Sequence, residues 1–178
     1  GDDGQTIDPD TRAYMIYALC ESGNVDVSVI NDLFAKRREL QPYGRALLAL
    51  ALKQHRDDAQ ARQVAGEIEQ SASTNDFDAH WESKHTSHGY QVENDTEATA
   101  LSLKALTRIN PQSSVLSRAA RWLVGNRRNG YYWESTRQTA FAIFGLIDYV
   151  KVSKELSPDY SVQVYLNGEQ VVSKQVTV

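Results

Sequence analysis

An alternation between two kinds of helical segment constrains this chain more than any other feature. The stretch from Tyr43 to about Gln54 contains Ala46-Leu47-Leu48-Ala49-Leu50-Ala51-Leu52, apolar on nearly every side. A helix of that composition has no face to turn to water and must be surrounded by protein. The segments 95–109 and 136–148 share this character; in the latter, Ala140, Phe141, Ala142, Ile143, Phe144, Leu146 and Ile147 leave little polar surface. Alternating with them are segments of another kind, at 28–38, 57–72 and 113–126. In the second of these, Ala61, Val64, Ala65 and Ile68 form one narrow stripe and the rest is largely polar. The alternation predicts two layers, with inner helices touching neighbours on all sides and outer helices wet on one face.

Local signals set the boundaries. Asp8-Pro9-Asp10-Thr11 opens a first helix carrying Ala13, Ile16, Tyr17, Leu19 and Cys20, with Asp10 or Asp8 as cap, and Gly23 stops it. Pro42 opens the third helix, Asp95-Thr96 caps the fifth, Pro111 ends it, and Ser135-Thr136 caps the seventh. Residues 73–94 read as a long loop with a short hairpin around Phe77–Trp81 and Gly89–Val92. After Ser157-Pro158 the pattern changes: Val162, Val164 and Leu166 alternate with polar residues, then Asn167-Gly168, then a second alternating run to Val178. Asn-Gly between alternating runs is a strong hairpin signal. Two strands alone are marginal in water, so these either begin a β domain or pack on the helices.

Composition narrows the classes of function. The net charge of -4 argues against a nucleic-acid partner, which asks for a basic face. The runs Lys36-Arg37-Arg38 and Arg127-Arg128 read as solvated surface. A single cysteine, Cys20, excludes an intrachain disulfide. No apolar run approaches the roughly 18 residues of a membrane span. With Met15 as the only methionine and no signal peptide, the chain is expected to begin mid-protein or after processing.

The helical pattern is also a repeat. Trp81-Glu82-Ser83 recurs as Trp133-Glu134-Ser135; the first precedes Asp95-Thr96-Glu97-Ala98-Thr99-Ala100 after an insert, the second leads directly into Thr136-Arg137-Gln138-Thr139-Ala140. Arg12-Ala13 and Arg45-Ala46 open the earlier inner helices in a related way. Spacings of roughly 33 to 54 residues lie in or near the span of helical-hairpin repeats, which bury their apolar faces by stacking or by closing a ring.

Three of these segments together carry a resemblance: Glu97 to Leu106, Ala120-Arg121-Trp122-Leu123, and Trp133-Glu134-Ser135-Thr136-Arg137-Gln138-Thr139-Ala140. They resemble the closing half of the thioester domain in bacterial α2-macroglobulin-like and complement-type proteins, with its E-x-T-A helix, its K/R-W-(L/I) outer helix and its G-x-(W/F)-x-S-T-Q-D-T-A opening. Arg137-Gln138 stands where that pattern has Gln-Asp. The resemblance implies a mainly α fold, a partial α/α toroid of terpenoid-cyclase-like helical hairpins, with a short C-terminal β-hairpin or the start of a β domain. Residues 1–155 would be the C-terminal half of the thioester domain and 156–178 the beginning of the following macroglobulin-like β domain. Such toroids use about six hairpins, and this chain has room for little more than three. The implied role is structural, in a periplasmic or extracellular protease-trapping inhibitor that meets target proteases and adjacent macroglobulin-like domains, with no catalytic residue and no cofactor of its own. A toroid cut in half exposes apolar helix surface, so self-association of the isolated fragment is expected. The thioester motif Cys-x-Glu-Gln is absent: Cys20-Glu21-Ser22-Gly23 lacks the Gln, and Cys20 falls at the wrong end of its helix to be activated. It reads as a buried core cysteine.

Candidate binding residues gather before the inner helices: Trp81, Glu82, His85, His88, Trp133 and Glu134, at the implied mouth of the ring. The competing reading of Trp81, Trp133 and Tyr131-Tyr132 is packing that closes hairpin on hairpin, with the indole N–H groups bonded. His80, His85 and His88 beside Glu82 and Glu93 match no metal-ligand spacing, so no metal is expected. Two other functions remain open. Arg121-Trp122-Leu123, Asn126, Gly130 and Trp133 also resemble the repeat of triterpene cyclases, so a terpene-cyclase or prenyltransferase-like enzyme is one; its acidic cluster would have to come from Asp2-Asp3. A helical-repeat interaction module is the other.

Overall fold

The computed structural model describes residues 7–87, 90–93, 95–153 and 159–177, with residues 84–87 and 90–93 described by their backbone. The described residues form seven α-helices: α1 (Pro9–Glu21), α2 (Val27–Ala35), α3 (Pro42–Gln54), α4 (Asp58–Gln70), α5 (Asp95–Ile109), α6 (Leu116–Gly125) and α7 (Thr136–Ser153). Three antiparallel hairpins accompany them: β1 (Ser73–Thr74) with β2 (Ala79–His80), β3 (Lys84–Ser87) with β4 (Tyr90–Glu93), and β5 (Asp159–Leu166) with β6 (Glu169–Thr177).

The odd-numbered helices stand side by side in one row. α3 packs between α1 and α5, and α5 packs between α3 and α7. The even-numbered helices lie across the joints: α2 on α3, α4 on α3 and α5, α6 on α5 and α7. Burial follows this order. In α3, every residue from Ala46 to Leu52 is buried, and in α5 so is every residue from Glu97 to Leu103. In α4 the buried residues are Ala61, Val64, Ala65 and Ile68, the stripe read from the sequence. Two layers therefore exist as predicted, and the core lies between them.

The two ends of the row depart from the prediction. α7 buries only Ala142, Gly145 and Tyr149, while Ile143, Phe144 and Ile147 are 44%, 55% and 45% exposed. On α1, Tyr14, Met15 and Leu19 are exposed in the same way. Both helices have the composition of inner helices, but each has an inner neighbour on one side only. The position in the row, not the composition, decides how much of each is covered.

Local chemistry closes the helix ends. The Asp8 carboxylate accepts from Thr11 N–H at 2.9 Å, and Asp26 and Asp57 cap α2 and α4 in the same way. Asp10 reaches across to α3, where its Oδ1 accepts the N–H of the N-cap residue Gln41 at 3.1 Å. At the α5–α7 seam the backbones approach so closely that a Cβ on Gly145 would stand 2.5 Å from the Ala100 carbonyl oxygen.

Two local expectations are corrected. Helix α2 ends at Ala35, and Arg37–Glu39 turn into a 3-10 segment. Arg37 is not solvated: its Nε donates to Glu67 at 3.0 Å, Nη1 donates to the Phe34 carbonyl, and the guanidinium lies 4.4 Å from the centre of the Phe34 ring. The loop before α5 holds two separate hairpins, with Thr74 opposite Ala79 and His85 opposite Val92, in place of one pairing Phe77–Trp81 with Gly89–Val92. Asn75 explains the first: its side chain accepts the N–H groups of Phe77 and Asp78 and closes a tight turn locally. The C-terminal hairpin turns at Asn167-Gly168 as read, both residues having positive φ (52° and 90°), the geometry a two-residue hairpin turn requires.

Candidate functional site

The segments that enter α5 and α7 are built alike. Trp81 is fully buried; its backbone N–H donates to Thr99 Oγ1 at 3.1 Å, and its indole N–H donates to the Ile68 carbonyl at 2.7 Å. Trp133, 5% exposed, repeats both bonds: backbone N–H to Thr139 Oγ1 at 3.2 Å and indole N–H to the Leu123 carbonyl at 3.0 Å. Each tryptophan thus joins the last turn of an outer helix to the first turns of the next inner helix. The Leu123 carbonyl lies where a helix leaves acceptors unbonded, and the Trp133 indole supplies the missing donor, while the Ile68 carbonyl also accepts from the Ser71 N–H and hydroxyl and takes the Trp81 indole as a further donor. The self-similar Trp-Glu-Ser segments are hairpin-to-hairpin staples.

The glutamates that follow are placed differently. Glu82 is exposed, and Glu134 is exposed with an ion pair to Arg128 Nη2 at 2.7 Å. His85 stands on β3 opposite Val92, and His88 lies outside the described residues. His80 stacks on Trp122, centroids 5.0 Å apart and planes 8° from parallel, with its Nδ1 buried and without a hydrogen-bond partner among the described residues. No group of three or more His, Cys, Asp or Glu among the described residues is placed to hold a metal ion. Asp2-Asp3, the acidic pair the cyclase reading needs, lie outside the described residues.

Next to the staples, the opening turns of three inner helices converge on Arg137. Arg137 Nη2 donates to the buried Glu97 carboxylate at 2.5 Å and to the Tyr43 hydroxyl at 3.3 Å. The guanidinium carbon lies 5.7 Å from the Tyr43 ring centre and 5.8 Å from that of Phe141, and these two rings meet edge to face at 6.4 Å. Glu97 is 4% exposed while the Arg137 side chain is 60% exposed. The arrangement is one neutralised pair with its anion in the core and its cation at the surface. Burial alone would lower the Arg137 pKa; the neighbouring Glu97 charge, and then Tyr43, outweigh it and raise it further. Burial pushes the Tyr43 hydroxyl up to about 12, with Arg137 pulling against that rise. The sequence reading singled out Arg137 as a departure from its pattern but did not link it to Glu97 or Tyr43, which lie 40 and 94 residues away.

Further along the same helices a second charged group joins α5 to α7. Asp148 accepts from Lys104 Nζ and Arg108 Nε, each at 2.8 Å. Burial alone would raise the Asp148 pKa, but these two hydrogen bonds, and the charges behind them, hold it below the ordinary carboxylate value. Tyr17 on α1 faces the same group and is pushed up to about 12, by burial first and by Glu21 second. At the C-terminal end of α3, an open hollow of about 290 Å³ is lined by Val27, Ile30, Asn31, Leu52, His55, Arg56 and Asp57.

Cys20 is a free, buried cysteine on the last turn of α1. Burial, and then the Glu21 charge, raise its pKa, which suppresses the thiolate. Its backbone carbonyl accepts the Gln54 side-chain N–H at 2.9 Å, tying α1 to α3.

No helix among the described residues is long and apolar enough to cross a membrane. No curated protein matches the chain. The family model described as the A-macroglobulin TED domain matches residues 21–149, from the last residue of α1 to the fourth turn of α7. That span takes in both tryptophan staples, the Arg137 cluster and the Asp148 cluster. It covers well over half of the 178 residues, so the chain belongs to the thioester-domain family of α2-macroglobulin and complement-type proteins.

Proposed function

We propose that this chain is part of the wall of an α/α toroid in an exported, protease-trapping protein of the α2-macroglobulin type, and that it acts as scaffold with no catalytic residue of its own. On this reading residues 1–155 are the closing half of the ring and residues 156–178 open the β domain beside it. The observation that carries the proposal is the row of four inner helices jacketed by three outer ones, ending on an uncovered apolar face at both α1 and α7. Those faces have the composition of the buried inner seams, and further inner helices of the same kind would continue the row across them. The polar clusters of Arg137 and Asp148 then serve to fix the inner helices against one another. Target proteases and neighbouring macroglobulin-like domains are the partners, met in the periplasm or outside the cell.

The parent polypeptide tests this. Mixed with a broad-specificity protease, a trapping protein leaves cleavage of a small chromogenic peptide intact while blocking cleavage of a large protein substrate. Undiminished cleavage of the large substrate at a molar excess of the parent would rule the role out.

A further inference from the structure

Between the outer helix α6 and the Trp133 staple the chain makes a tight turn at Asn129-Gly130. Both residues have positive φ, 51° and 79°, a conformation that asparagine tolerates and glycine takes without strain. Backbone hydrogen bonds close the turn from its flanks. Arg128 N–H donates to the Tyr132 carbonyl at 2.6 Å, and the Tyr131 and Tyr132 N–H groups donate to the Arg128 carbonyl at 3.1 and 3.5 Å. Among the described residues the Asn129 side-chain amide and the Gly130 N–H make no hydrogen bond. Nothing lies within 4 Å of the place a Cβ on Gly130 would occupy. Every residue from Val124 to Tyr132 is exposed. The turn has no buried residue of its own to hold it shut, so it opens locally at low cost while the core stays folded.

We propose that Asn129 is a site of spontaneous covalent modification, in which its side-chain amide cyclises onto the Gly130 nitrogen and is lost as ammonia. The Gly130 nitrogen gives up its proton to hydroxide or water and attacks Asn129 Cγ. The N–Cγ bond forms, the Cγ–Nδ2 bond breaks, and Nδ2 leaves as ammonia with a proton from solvent. Water then opens the resulting succinimide at one of its two carbonyl carbons. Opening at the backbone carbonyl leaves isoaspartate, with the main chain running through the side-chain carbon; opening at Cγ leaves aspartate. Positive charge favours the step that ionises the nitrogen. Arg127 and Arg128 directly precede Asn129, and Arg127 is paired with no carboxylate among the described residues. The other Asn-Gly pair, Asn167-Gly168, lies in the β5–β6 hairpin with Glu169 beside it. Isoaspartate adds a methylene to the main chain inside the turn, so Arg128 and Tyr132 no longer stand opposite one another. The new carboxylate also competes with Glu134 for the Arg128 guanidinium.

Incubation of the 178-residue chain at mildly alkaline pH, both native and in urea, tests this. Peptide mapping by mass spectrometry reads the exchange of amide for carboxylate at each asparagine, and enzymatic methylation of isoaspartate reads the product that only ring opening gives. In the native chain Asn129 should convert within several-fold of its rate in urea and should yield isoaspartate. It should also run many-fold ahead of Asn126, which is equally exposed but is followed by Arg127. Gly130→Ala places a methyl beside the attacking nitrogen and should slow conversion many-fold, in urea as well, where folding of the variant has no part. Conversion in urea with Asn129 intact in the native chain overturns the proposal, because the folded turn is then closed to the reaction. Aspartate without isoaspartate overturns it by showing direct hydrolysis, and so does a Gly130→Ala chain that converts at an unaltered rate.

Discussion

At the scale of single residues, the two tryptophan staples are the most testable feature. Trp133→Phe keeps most of the ring volume but removes the donor to the buried Leu123 carbonyl. An acceptor left unbonded in the core costs about 1–3 kcal/mol, so urea unfolding should show a loss of that size. A change under about 0.5 kcal/mol would mean the bond is replaced, for instance by water. The tyrosines give a pH signature. Tyr17 and Tyr43 have pKa values pushed up to about 12, above the ordinary 10. Between those values the folded chain holds protons that the unfolded chain has released. Their contribution is therefore complete below pH 10 and is lost as pH rises toward 12. Ultraviolet titration of the phenolates should find Tyr17 and Tyr43 ionising late, and Tyr17→Phe with Tyr43→Phe should flatten the alkaline decline in stability. Titration of all the tyrosines together near pH 10 would contradict this.

At the scale of elements, the close α5–α7 seam and the open flank of α4 respond oppositely to the same substitution. Gly145→Ala drives a methyl against the Ala100 backbone carbonyl, which has no side-chain freedom to yield. The helices must separate, at about 1–3 kcal/mol. Gly66, inside α4, has nothing within 4 Å of the position a Cβ would take. Gly66→Ala should stabilise by about 0.5–1 kcal/mol, because alanine loses less backbone entropy in a helix. Thermal unfolding of the two variants should shift in opposite directions; a shift in the same direction would discredit the seam. Asp148 belongs to the same seam. With its pKa held low, its contribution is present above the unfolded carboxylate pKa and is lost as pH falls through the folded value.

At the scale of the whole molecule, the uncovered edges of α1 and α7 are the defining property. If the row continues in the parent polypeptide, the amides of α1 around Tyr14 to Leu19 and of α7 around Ile143 to Ile147 should exchange hydrogen more slowly there than in this chain alone. Helices covered on both sides open less often than helices covered on one. Amides of α3, already enclosed, should change little and serve as the internal reference. Equal exchange at the two edges in both contexts would reject continuation of the row.

The sequence by itself determined the helices, their order as inner and outer, and the turn of the last hairpin. Helical period, caps such as Asp8 and Asp57, and the positive φ of Asn167-Gly168 depend on residues a few positions apart. The family, too, was legible in the Glu97, Trp122 and Trp133 segments. Tertiary structure alone decided the rest. Arg37 reads as surface until the fold brings Glu67 to it, and Arg137 meets Glu97 and Tyr43 only because α3, α5 and α7 stand in one row. Likewise Ile143 and Phe144 have the composition of core residues and lie open, because burial depends on which neighbour stands beside a helix, a long-range fact that no local pattern encodes.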